Sequence, residues 1–189
     1  MERALVARPA SLARGRVVDL VAFGGGRADV RRILVGVDGS MQSRLAVEYA
    51  ADLARATGAR LMLACVVFAP DPLGDPELVT RTLLWEEEEH ERGEDLLREV
   101  AAAVARRGVA SETVVVRGPV AATLAGLARS CDVDLVVVGH RERSALARML
   151  IGSVADRLVE TCPKPVLVVR GRVADRPVKV CPKPVSIAR

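Results

Sequence analysis

Residues 134–170, DLVVVGHRERSALARMLIGSVADRLVETCPKPVLVVR, decide the fold. The aliphatic run at 135–138 has the composition of a strand buried on both faces, and it stops at Gly139. A basic polar loop follows, and Gly152 with Ser153 then opens a helical pattern. Pro163 and Pro165 end that helix at Thr161 and Cys162, because proline lacks an N–H and restricts the residue before it. Residues 166–169, VLVV, form the next buried strand. A strand, a loop and a helix start in this order leave unpaired N–H groups at the positive end of a helix dipole, which suits a phosphate or another anion.

The preceding chain repeats the same grammar. Residues 33–37 are a buried strand, Asp38-Gly39-Ser40 turns the chain, and Ser40 is placed to cap a helix. Over residues 42–57, Ala46, Tyr49, Ala50, Leu53 and Ala54 recur at helical spacing, and Gly58 closes that helix. A strand at 61–68 leads into a proline-rich loop, APDPLGDPE, and a long helix over 77–107 with a break expected near Gly93. Its middle, WEEEEHERGED, shows no apolar face. The glutamates at 86–89 beside His90 read as a solvated face, since consecutive helical residues point in different directions. A strand at 113–116 and a helix at 120–130 complete the series. Such alternation predicts an α/β fold: a doubly wound, five-stranded parallel sheet with helices on both faces. Ligands bind such sheets beyond the strand C-termini where the winding reverses, which would bring Asp38 and Gly139 to one crevice.

With 189 residues, 50% of them hydrophobic, and a mean hydropathy of +0.23, the chain can bury one good core. The expected divisions are a flexible basic extension over 1–31, a domain over 32–170 and a basic tail over 171–189. Four aromatic residues leave few rings for stacking on bases. The net charge of +4 resolves into +4 over residues 1–32, −4 over 33–170 and +4 over 171–189. The basic excess therefore sits at the two ends, without a recognition motif, and does not argue for nucleic acid. Gly24-Gly25-Gly26 reads as a linker after a short strand or helix at 17–23, since no phosphate-loop lysine follows it. Cys65, Cys131, Cys162 and Cys181 have neither zinc nor disulfide spacing, and no membrane span or signal core is evident. A reducing cytoplasm is the expected location, with no membrane partner.

Two motifs, ILVGVDGS at 33–40 and VVVGH…LIGSVADRLVETCPKPVLVVR closing the domain, together resemble the universal stress protein family over residues 32–170. The resemblance implies a five-stranded parallel sheet and a homodimer formed through the last strand, Val166–Val169. One branch of the family binds ATP, with or without Mg²⁺, through Gly, two residues, Gly, nine residues, then Gly-Ser or Gly-Thr. Gly139 and the pair Gly152-Ser153 match this pattern, while Glu142 stands at the middle glycine. Glutamate there adds bulk and negative charge next to an anion. Arg141, Arg143 and Arg148 flank it, and one could neutralise Glu142 while another reaches a phosphate. By the same resemblance Asp38 holds the adenosine end, Val37 and Val66 line the adenine slot, and Gly139 with the N–H groups of Gly152, Ser153 and Val154 cradles phosphates.

Two functions stay open at this stage: a stress-response regulatory module that binds ATP, and a nucleotide-free interaction module on the same fold. Hydrolysis finds less support, since no Walker lysine or positioned general base is evident. The tail also repeats the end of the domain, CPKPVLVVR at 162–170 recurring as CPKPVSIAR at 181–189. It is expected to reinforce a dimer by adding a strand at the edge of Val166–Val169.

Overall fold

The aliphatic runs pair side by side, because a strand apolar on both faces must be covered on both. The computed structural model describes residues 18–21, 30–68, 76–140 and 154–170. In chain order the elements are β1 (Val18–Val21), β2 (Arg32–Gly36), α1 (Met41–Thr57), β3 (Arg60–Val67), α2 (Pro76–Ala105), β4 (Ser111–Arg117), α3 (Val120–Ser130), β5 (Leu135–Gly139), α4 (Val154–Thr161) and β6 (Val166–Val169). They build one sheet in the order β1-β6-β5-β2-β3-β4. The five strands from β6 to β4 are parallel, as the alternation predicts. From β2 the chain winds outward to β3 and β4, then returns to β5 and β6 on the other side, so the winding reverses between β2 and β5.

Alternation along each strand feeds two cores. Ile33, Val35, Leu61 and Leu63 pack beneath α1 and α2 with Ala46, Ala50, Leu97 and Val104. Leu34, Met62, Val136 and Val138 pack on the opposite face with Leu124, Ala128 and Leu158 of α3 and α4. A fully buried Leu or Ile contributes roughly 1.5–3 kcal/mol, against at most about 1 kcal/mol for an exposed ion pair such as Arg44–Glu99. The two apolar layers therefore hold the sheet, and the surface pairs decorate it.

The helices show why the chain turns where it does. Ser40 is extended and its hydroxyl accepts from the N–H of Ser43, starting α1, and Gly58 closes it. Helix α2 differs from expectation, running unbroken through Gly93. A Cβ there would stand 3.2 Å from Val115 Cγ1 and 3.3 Å from Cys65 Sγ, so this glycine brings the helix close to the sheet and does not interrupt it. The buried stripe Gly93, Leu97, Val100 and Val104 continues towards the helix start as the half-buried Glu86, Glu89 and His90. The acidic run is thus not one solvated face. Glu86 pairs with Arg117 of β4 at 3.1 Å and Glu89 pairs with Arg92, while Glu87 and Glu88 are exposed.

Part of the N-terminal extension lies within the described residues. Its residues Val18–Val21 form β1, antiparallel to β6 with Val18 opposite Val169 and Val21 opposite Val166. Among the described residues, the strand at this edge comes from the N-terminal side. The C-terminal tail and the glycine triplet lie outside the described residues. No helix among the described residues is long and apolar enough to cross a membrane.

Candidate functional site

The winding reverses between β2 and β5, and in such sheets the crevice for a ligand lies beyond the carboxyl ends of the two strands, so the residues that follow them determine its chemistry. Asp38 follows β2 and is exposed. Its Oδ1 accepts from the N–H of Ser40 at 3.0 Å and from the Ser40 hydroxyl at 2.6 Å. Gly39 between them has φ +76°, a left-handed conformation that strains any residue with a Cβ. The buried Ser43 closes the turn: its hydroxyl donates to the Ser40 carbonyl at 3.0 Å and accepts from the Asp38 N–H at 3.3 Å. A carboxylate locked into a helix-start turn in this way keeps one position at the mouth of the crevice.

Gly139 ends β5 directly beneath that turn. A Cβ at this position would lie 2.5 Å from both the carbonyl carbon and the oxygen of Gln42, and 2.8 Å from the Ser43 nitrogen. No side chain fits there. The absence of one lets the first turn of α1 rest on the end of β5, so the positive end of a 17-residue helix dipole is brought over the crevice. The structure therefore brings Asp38 and Gly139 together, as their positions in the chain predict.

The two valines are placed differently from one another. Val37 is 3% exposed in the core beneath α1, and its N–H donates to the Ala64 carbonyl at 2.8 Å. Val66 is half-buried on the other face of the sheet, against the α3 and α4 layer. Their side chains thus do not share one wall. Val154 begins α4 and is 41% exposed. Arg141, Arg143, Gly152 and Ser153, with Glu142 and Arg148, lie outside the described residues.

Sequence reasoning passed over three features at this end. Met41 at the start of α1 and Phe68 just beyond β3 are 68% and 54% exposed, giving the crevice end apolar side chains. The usable signal was that so large an apolar residue as Phe68 directly follows a strand. Cys65 lies on the α2 side, where burial pushes its thiol pKa up and the carboxylates of Asp38 and then Glu89 push it further. His140 donates its backbone N–H to the Val169 carbonyl at 2.8 Å, tying the exit of β5 to the end of β6.

A parallel sheet with this reversal, an aspartate turn after the first parallel strand and a side-chain-free end on the fourth correspond to a known family. The profile of the universal stress protein family matches residues 29–170. The chain belongs to the universal stress protein family. It is 30% identical over 145 residues to a universal stress protein of Methanocaldococcus jannaschii, covering 74% of this chain and 82% of the relative. It is 31% identical to the universal stress protein YxiE of Bacillus subtilis, over 74% of this chain and 98% of that one. Among solved structures, the universal stress protein UspA from Lactobacillus plantarum superposes with a TM-score of 0.67 at 26% identity, over 76% of this chain and 100% of that one. A universal stress protein in complex with cAMP superposes at 0.60 with 27% identity, over 75% and 98%.

Proposed function

We propose that this universal stress protein is a cytoplasmic stress-response regulatory module that binds ATP or a related adenine nucleotide at the β2–β5 crevice and acts through contacts with a second copy or a protein partner. The observation that carries the reading is the convergence of Asp38 and Gly139 at the point where the sheet reverses its winding, beneath the first turn of α1. A fixed, exposed carboxylate suits ribose hydroxyls, which donate to it. Apolar Phe68 and the half-buried Val66 suit a base, and the α1 dipole favours an anion. The relative solved with cAMP supports an adenine nucleotide as the ligand class. ATP would then be held by Asp38, Val66 and the loop carrying Arg141, Arg143, Gly152 and Ser153, with Mg²⁺ on its phosphates.

Glu142 favours a second reading, an interaction module that has given up the nucleotide, because a carboxylate in the phosphate loop opposes an anion. Equilibrium dialysis of the full chain with labelled ATP and Mg²⁺, repeated with labelled cAMP, separates the two. Weak binding is expected, tightened roughly tenfold by Glu142→Gly, a gain of about 1.4 kcal/mol, and abolished by Gly152→Asp. Absence of binding in both the parent and the Glu142→Gly protein would establish the interaction module.

A further inference from the structure

The sheet has two outer sides, and they are guarded differently. Strand β4 carries Ser111, Glu112, Thr113 and Arg117; Glu112 is paired with Arg32 at 2.9 Å and Arg117 with Glu86 at 3.1 Å. Charges on an edge strand discourage another chain from pairing with it. Strand β6 is VLVV, with all four residues buried and no charge along it. Nothing in its own sequence blocks the edge, and what covers it is β1.

The direction of β1 is informative. All the other described strands are parallel, yet β1 runs antiparallel to β6 in the register Val18↔Val169 to Val21↔Val166. When two copies of a chain meet edge to edge about a two-fold axis, the paired strands are identical and must run antiparallel. A second copy's β6 would therefore approach this edge in the orientation that β1 already has. The sequences correspond as well: VDLV stands where a second VLVV would stand, apolar at three of its four positions. The edge has room for one of them at a time.

The β1 strand is also built to be displaced. Four residues make a short strand, and aspartate, here Asp19, is among the poorest strand formers. The chain from Val21, on β1 beside the start of β6, has to reach the start of β2, three strand spacings or roughly 14 Å away. Residues 22–31 can reach roughly 33 Å when extended. The available length exceeds the span, so chain length alone does not pin β1 to this edge.

We infer that β1 is an intramolecular cap on the β6 edge, occupying the place of a second copy of this chain, so that self-association through β6 requires β1 to leave. This inference concerns the surface through which the proposed module would act and is independent of whether the crevice binds nucleotide. In competition of this kind the cap sets the apparent dimer affinity, because the competent form is only the uncapped fraction.

The experiment is light scattering over a dilution series, with hydrogen exchange followed at the β6 amides. The full chain is compared with Asp19→Pro/Leu20→Pro, in which neighbouring prolines remove pairing donors on both sides of β1. The full chain is expected to be monomeric at micromolar concentration. The double variant should dimerise at least about tenfold more tightly, with its β6 amides still protected, and a peptide of residues 15–23 added in trans should return it to monomer. A monomeric variant with freely exchanging β6 amides overturns the inference, as does a full chain that dimerises as tightly as the variant. Should the prolines prevent folding, Asp19→Val supplies the opposite arm. A stronger cap should slow exchange at β6 and weaken any self-association, and unchanged exchange would likewise refute the cap.

Discussion

At the base of the sheet, where the parallel strands begin, side chains bind the backbone: Asp134 Oδ2 accepts from the N–H groups of Arg31 at 2.8 Å and Arg32 at 2.9 Å. The Arg32 guanidinium donates to the Cys131 carbonyl at 2.7 Å and pairs with Glu112 at 2.9 Å, spanning the loop before β5 and the β4 edge. At the opposite end the turn from Asp38 to Ser43 is hydrogen-bonded within itself, and the contact of α1 with β5 depends on the absence of a side chain. There Gly139 admits the α1 backbone, a glycine with positive φ turns the chain after Asp38, and Met41 and Phe68 are left exposed. At the base, side-chain bonds join separate segments of the chain, whereas beside Gly139 they stay within one turn. The comparison teaches that substitutions at the two ends should separate stability from binding, and that Gly139 is where the separation fails.

The largest effect is expected at that point of failure. Gly139→Ala drives a methyl group into the Gln42 carbonyl, so α1 must lift from β5 or the strand must shift. Overpacking against backbone should cost about 3 kcal/mol, read as a lower urea midpoint, and the proposed nucleotide binding should vanish with it. Retention of full stability would mean that the first turn of α1 yields more easily than its seat on β5 implies. At the base, Asp134→Ala leaves the Arg31 and Arg32 N–H groups without their acceptor, one of them exposed and the other half-buried. A loss of about 1–2 kcal/mol is expected, with nucleotide affinity unchanged. A coincident loss of affinity would show that the two ends are coupled through β2.

The smallest effect concerns Cys65. Folding raises its thiol pKa through burial first, then Asp38, then Glu89, so the folded chain keeps this proton to a higher pH than the unfolded chain does. As pH climbs past the ordinary thiol range the unfolded state deprotonates first, and this contribution to stability is lost as pH rises through the folded value. Iodoacetamide should therefore modify Cys65 more slowly than an unperturbed thiol. Asp38→Asn should speed the reaction only a few-fold, because burial, the larger cause, remains. A rate matching that of a free peptide thiol would show that the thiol is more open to water than its seat against Gly93 allows.

Much of this was legible in the chain. The VVV run before Gly139, the DGS turn and the proline pair after α4 each announce an element by local chemistry, and alternation then dictates the parallel sheet. Asp38 and Gly139 could be placed together because topology alone determines where strand ends meet. What the sequence did not show depended on partners distant in the chain. VDLV is too short to declare itself a strand, and only β6, far along the sequence, makes it one. Gly93 read as a break because nothing local announces Val115 and Cys65 pressing on it. Glu86 read as solvated because Arg117, which pairs with it, belongs to the next strand.

The seat of α1 on Gly139 bears on how relatives of this chain are sorted. A position that the fold itself forbids to every side chain is retained under selection for folding alone, whether or not a ligand is ever bound. A lineage that abandoned its nucleotide would keep this glycine for as long as it kept α1 in place. Its presence thus discriminates between binding and non-binding descendants less well than positions free to drift once the ligand is gone. Position 142, where the resemblance would place a glycine and this chain carries Glu142, is the more telling of the two.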